Sequence, residues 1–193
     1  MTTPLTFAAL ALVAVGAAVL FNRLVRLRNR YENAFAQIDV QLRRRHDLIP
    51  NLVEAVRGYL SHERETLEGV VQARAGAVAA QQRAAPSDAG SLGALAGAEG
   101  LLSGALGRLM AVVESYPTLQ ADTQVTGLRE ELTSTENRVA FARQAYNDAV
   151  TRFNTRAESV PDVVVARLFG FAPAALLDDA APEIHVAPRV SFA

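Results

Sequence analysis

The chain has 193 residues, half of them hydrophobic, with neither cysteine nor tryptophan, and its 19 basic residues are all arginine. At roughly 150 residues per domain, that length allows one domain with an appendage. The missing residue types exclude disulfides, thiolate nucleophiles, cysteine-held metals, Schiff bases and P-loop or kinase-type phosphate lysines. The net charge of −1 hides three blocks: residues 1–22 carry no charged side chain, residues 23–45 carry a balance of +5, and residues 46–193 one of −6.

Residues 5–21 read LTFAALALVAVGAAVLF, with Thr6 the single polar side chain. As a helix this run is about 25 Å long, and its uncharged flanks extend it to about 30 Å, the thickness of the hydrocarbon core. We read residues 1–22 as an uncleaved transmembrane signal-anchor. A cleaved signal peptide would want a basic leading region, absent from Met-Thr-Thr-Pro, and would place arginine unfavourably just past the cut. A buried core helix is the third reading. Arg23, Arg26, Arg28 and Arg30 follow at once, and the positive-inside rule then puts the N-terminus outside and the C-terminal domain in the cytoplasm. The same four arginines suit a lipid-facing role toward anionic headgroups, at about 1 kcal/mol each, although setting topology is the plainer reading. Nucleic acid is not an expected partner, because the block lacks interleaved aromatics and a known motif.

Leu24, Leu27, Tyr31, Phe35, Ile38 and Leu42 recur by threes and fours, so the first helix is expected to continue to about Asp47. Pro50 then interrupts. Asp47 can cap a new helix with the proline in its first turn, and a proline kink in one rod is the alternative. A second helix is expected over about 49–83, with a seam at Ile49, Val53, Val56, Leu60, Leu67, Val70 and Val78 that Glu63 and Arg74 interrupt. Residues 84–93 form the clearest loop. A third helix follows to about Ser115 on a seam of Leu95, Leu102, Leu106, Leu109 and Val113. A fourth, over 122–158, steps without fault through Val125, Leu128, Leu132, Thr135, Val139, Ala142, Tyr146, Ala149 and Phe153. Seams of this coiled-coil type need partner helices, and short connections make neighbours antiparallel. The fold class is therefore all-α: a transmembrane helix continuing into an elongated antiparallel bundle of long helices over 23–160. Residues 161–193 hold four of the eight prolines and are expected as a tail on or beside the bundle, with Asp178 and Asp179 solvated.

The chemistry-bearing residues form no recognisable catalytic set. His62-Glu63 opens like a zinc helix motif, but Thr66 stands where the second histidine is required. No Glu-x-x-His pair is present for a di-metal core, and Ser103 lacks the flanking pattern of a nucleophile elbow. Neither catalytic residues nor a metal or cofactor are expected. Gly93, Gly97, Gly100, Gly104 and Gly107 fall on one helical stripe, at a cost of about 1 kcal/mol each against alanine. Close packing against another helix, an oligomer seam or a deformable segment would each account for them. Asp39, His46, Asp47, Asn51, Glu54, Glu136, Asn137 and Arg138 are the polar candidates, since polar groups near a bundle core must find partners or a ligand. For His46 and Asp47, beside Arg43–Arg45, capping plus ion pairs is the plainer reading.

Three blocks carry a resemblance. RNRYENAFAQIDVQLRRRHDLIPNLVEAVRGYLSHERETLE over residues 28–68 resembles the signature block of the LemA family of bacterial membrane proteins. AEGLLSGALGRLMAVVESYP over 98–117 and EELTSTENRVAFARQAYNDAV over 130–150 match two further blocks, and PRVSF over 188–192 matches the family's ending. The resemblance covers essentially the whole chain. It implies a bacterial membrane protein with a single N-terminal span and an α-helical bundle domain, and no established enzymatic activity. One branch resembles a magnetosome-membrane formation protein, which brings a membrane-organising role into view. The first functional expectation is therefore a membrane-anchored, non-enzymatic scaffold that binds the bilayer through its N-terminal helix, and itself or another envelope protein through a helical face. The second is a small-ligand binder or enzyme using polar residues between helices.

Overall fold

The steps of three and four along the chain are answered by helices alone in the computed structural model, which describes residues 3–60 and 62–177. Among the described residues there are six: α1 Thr3–Arg57, α2 Arg64–Gln81, α3 Ala89–Glu114, α4 Pro117–Gln120, α5 Thr123–Glu158 and α6 Asp162–Leu168. The long helices alternate in direction, α1 packing mainly on α5 and α2 on α3. This is the all-α, elongated antiparallel bundle that the periodicity predicts.

α1 has 55 residues and is about 80 Å long. Its first part stands clear of the bundle: Phe7, Leu10, Leu12, Val13, Val15 and Val19 are exposed, and Leu24 is the first fully buried side chain described. α1 and α3 are both apolar and long enough to cross a membrane, but the apolar window of α1 is almost wholly exposed whereas that of α3 is substantially buried in the bundle.

The expected turn at Pro50 does not occur. α1 runs through the proline to Arg57, and the chain breaks at Gly58-Tyr59 instead. The second helix expected over 49–83 is thus divided between the end of α1 and the shorter α2. Two facts explain this. Ile49, Leu52, Val53 and Val56 are all buried, so leaving the helix at Pro50 would strip the upper core. The backbone bond that proline cannot make is also replaced, because Arg74 Nε donates to the carbonyl of His46 at 2.7 Å, the acceptor that residue 50 would normally serve.

Three apolar clusters follow one another along the bundle. The distal one joins Leu52, Val56 and Leu60 to Val70, Leu102, Leu109, Val113 and Leu132. The middle one joins Tyr31, Ile38 and Leu42 to Leu92, Leu95, Tyr146 and Phe153, with the Tyr31 and Phe153 rings 5.1 Å apart, edge to face. The basal one sets Leu24 against Ala157, Val165 and Ala166. Asp88 caps α3 by accepting from the Gly90 amide at 2.9 Å, which starts that helix inside the loop expected over 84–93. Asp122 caps α5 by accepting from the amides of Gln124 and Val125; each such cap is worth about 1 kcal/mol.

At the far end of α6, Gly170 adopts φ 71° and the Phe171 amide donates to the Ala166 carbonyl at 2.9 Å. This closure wants a left-handed residue, which glycine supplies without strain. It turns the chain back along α5, where two asparagines hold it. Asn154 bonds both backbone groups of Ala174, each at 2.9 Å. Asn147 does the same for Leu177 at 2.9 and 3.1 Å. Seven helical residues and three extended ones both span about 10 Å, so the two clamps are in register. Tyr146 Oη completes the strap by donating to the Ala175 carbonyl at 2.7 Å. Asp178 and Asp179 lie outside the described residues.

Candidate functional site

Between the distal and middle clusters, a polar layer interrupts the core. Arg45 and His46 come from α1, Glu99 and Ser103 from α3, and Glu136 from α5. Glu99 is 2% exposed and both its oxygens are engaged. Arg45 Nη1 donates to Oε2 at 2.9 Å, and His46 Nε2 lies 2.7 Å from Oε1. A carboxylate only accepts, so the ring donates through Nε2; Nδ1 is buried with no hydrogen-bond partner. Arg45 Nη2 donates to Ser103 Oγ at 2.8 Å and to the exposed Glu136 Oε1 at 3.4 Å. Arg74 of α2 closes the layer through the His46 carbonyl, so all four long helices are tied at one level.

This arrangement neutralises charge and fixes register rather than preparing a nucleophile. Ser103 is engaged by Arg45 and His46 by Glu99, so Ser103 and His46 are not coupled in the way that activates a serine. A buried pair adds little net stability over an apolar one, but removing one partner strands the other charge. Among the described residues no group of three or more metal-ligating side chains occurs.

The eight polar candidates divide. His46 lies in the layer and Glu136 on its rim. Asp39 is half-buried, accepting from Gln81 Nε2 at 2.6 Å and pairing with Arg43 at 2.8 Å. Asp47, Asn51, Glu54, Asn137 and Arg138 are exposed, Glu54 beside Arg57 at 3.1 Å. They face solvent rather than the core because each falls on the outer side of its helix. Asp39, His46 and Asp47 nevertheless share an open groove of about 680 Å³ between α1 and α2, with Phe35, Arg43, Arg74 and Gln81. The sequence sets Arg45 beside His46 as an ion-pair candidate, but does not announce Glu99 as the partner or the bridging role of Arg74. Glu99 did leave a signal, being the one charge on the three-four step from Leu95 to Leu102, where water could not reach it.

The glycine stripe has no partner helix within the described chain. A Cβ at Gly93, Gly97, Gly104 or Gly107 would meet nothing within 4 Å, and Gly100 is exposed. α3 turns Leu102, Leu106 and Leu109, not its glycines, into the core shared with α2, so close packing inside the bundle does not account for the stripe.

At the base, Arg23, Arg26 and Arg30 are exposed on one face of α1, as their spacing of three and four dictates. Arg28 sits apart, over the Phe171 ring at 5.7 Å and 3.7 Å from Glu32. Burial raises the phenol pKa of both Tyr31 and Tyr146 above the usual tyrosine range.

The sequence has relatives among known proteins. Two magnetosome proteins of Paramagnetospirillum magneticum, MamQ 1 and MamQ 2, are each 29% identical over 181 aligned residues, covering 84% of this chain. The chain spans 66% of the length of these relatives. Residues 34–192 match the LemA family, taking in the described bundle from the latter part of α1 onward. On this match the chain belongs to the LemA family.

Proposed function

We propose that this protein is a membrane-anchored, non-enzymatic scaffold of the bacterial cell envelope, held by the first part of α1 with its N-terminus outside and its bundle in the cytoplasm. One observation carries the reading. An exposed apolar helix continues without a joint into a bundle whose buried ionic side chains are bound to one another. A rigid stalk of this kind transmits position and offers surfaces. The outer face of α3, with its glycine stripe, Leu101 at 73% exposure and the exposed Arg108, is the surface we assign to a second copy or another envelope protein. The MamQ relatives are magnetosome proteins, and a part in organising membrane is the corresponding role here.

The test uses the absence of native cysteine. With Phe141→Cys on α5, a site 72% exposed, in living cells, an impermeant maleimide should label only after the inner membrane is permeabilised; labelling of intact cells overturns the orientation. Crosslinking in native membranes should recover a higher-order species that Gly100→Leu with Gly104→Leu removes. A monomer in both forms overturns the scaffold reading.

The groove between α1 and α2 favours a second reading, a small-ligand site, because it gathers Asp39, His46 and Asp47. A metabolite mixture that raises the unfolding temperature of the native chain, but not of Asp39→Ala, would support it.

A further inference from the structure

α6 packs at one height only. Its buried face, Asp162, Val165 and Ala166, lies against Leu24 and Ala157, with Leu20 and Phe21 flanking. Leu20 and Phe21 are also the last residues of the apolar run that ends before Arg23. If that run fills the hydrocarbon core, α6 stands where acyl chains meet headgroups.

The opposite face of this turn is apolar and uncovered. Val164 and Leu168 fall four residues apart on one stripe of α6, at 66% and 76% exposure, and Val160, just ahead of the helix, is 82% exposed. Phe169, at 56%, extends the patch sideways until its ring meets Phe21 at 4.9 Å. The patch is therefore continuous with the apolar surface of α1, and an uncovered patch of this kind marks an interaction site. Arg167 beside it is exposed, as are Arg23 and Arg26 within two turns of Phe21 on α1, and basic side chains at that level suit an anionic interface. The element is also held in place: Asp162, fully buried, pairs with Arg156 at 3.1 Å, and the Gly170 turn and the asparagine clamps fix the segment beyond it.

We infer that α6 and Phe169 form a second membrane contact, seated in the headgroup boundary of the leaflet from which α1 emerges, so that the bundle meets the bilayer at two points. This rests on the anchored reading. Two points of contact restrain the tilt of the stalk, which one helix alone would leave free. The occupant is the lipid surface rather than a second copy, because the patch adjoins the span and shares its height.

The full chain is labelled with an environment-sensitive fluorophore at Leu168→Cys, Leu12→Cys or Leu101→Cys, then reconstituted in vesicles of phosphatidylethanolamine and phosphatidylglycerol. Quenchers are nitroxide lipids with the label shallow or deep on the acyl chain. The Leu168 site should lose most of its emission to the shallow quencher, Leu12 to the deep one, and Leu101 little to either. Quenching at Leu12 with a Leu168 response like that of Leu101 overturns the second contact alone. Quenching at neither Leu12 nor Leu168 overturns the anchor and this contact together. A blue-shifted Leu168 label that no lipid quencher reaches, or a disulfide-linked Leu168→Cys dimer, assigns the patch to a protein copy and also overturns it.

Discussion

Arg74 Nε donates to the main-chain carbonyl of His46 at 2.7 Å, supplying from α2 the hydrogen bond that Pro50 withholds within α1. The side chain of the same His46 binds Glu99 of α3. One residue thus joins three helices, through its backbone on one side and its ring on the other. The continuity of α1 past Pro50 is a tertiary property.

Arg74→Leu is expected to destabilise the bundle by about 1–3 kcal/mol, the cost of a buried carbonyl left unmet. Pro50→Ala restores a donor inside α1, so the same substitution should cost measurably less in that background. Urea unfolding of the four proteins gives the coupling directly. Equal costs in both backgrounds would show that the arginine acts by packing alone.

Glu99→Ala strands Arg45 and His46 without their common acceptor. A loss of about 3–5 kcal/mol is expected, a large part of the roughly 5–15 kcal/mol available to a domain. Glu136→Ala, on the exposed rim, should cost under about 1 kcal/mol. Denaturant midpoints that rank the two the other way would contradict the placement of Glu99 at the centre of the layer.

Stability should fall at alkaline pH through Tyr146 and Tyr31. Burial raises both phenols above the usual value of 10.0, so the folded state holds protons that the unfolded chain has released. The contribution is complete below about pH 10 and is lost as pH climbs toward the folded values. Tyr146→Phe, which removes the titrating group and its bond to Ala175, should lower stability at neutral pH yet flatten the alkaline decline. Urea midpoints across pH 8–11 that fall equally steeply in both proteins would refute this.

Asn154→Ala removes both bonds to Ala174 and should release the strap. The expected cost is about 1–3 kcal/mol, with faster proteolytic cleavage in residues 171–177 and unchanged helix content. Asn147→Ala should do the same further along, and cleavage as slow as in the native chain would show that the apolar contacts of Ala174 and Leu177 suffice to hold the segment.

Gly104→Ala tests the stripe on α3. With nothing within 4 Å of the added Cβ, the monomer should gain up to about 1 kcal/mol from helix propensity. If a second copy packs there, the same change should weaken crosslinking in membranes while raising monomer stability in detergent. A loss of monomer stability would mean that a packing partner within the chain has been overlooked.

The sequence by itself determined the all-helical character, the apolar faces of the long helices and the apolar lead of α1, because amphipathic periodicity is local: residues three and four apart share a face whatever lies across from it. It placed α5 almost to the residue, since its seam is unbroken and Asp122 caps it. It failed at Pro50 because the compensating donor is 24 positions away in the chain, and no local pattern announces it. The polar layer was legible only as a charge at a seam position, Glu99; Arg45 became its partner once α1 and α3 were set side by side. The glycine stripe shows the same limit in reverse, for its period was evident and the side it faces was not. Which groups meet across helices depends on the rotation and offset of each rod, and packing sets both only when all four are together.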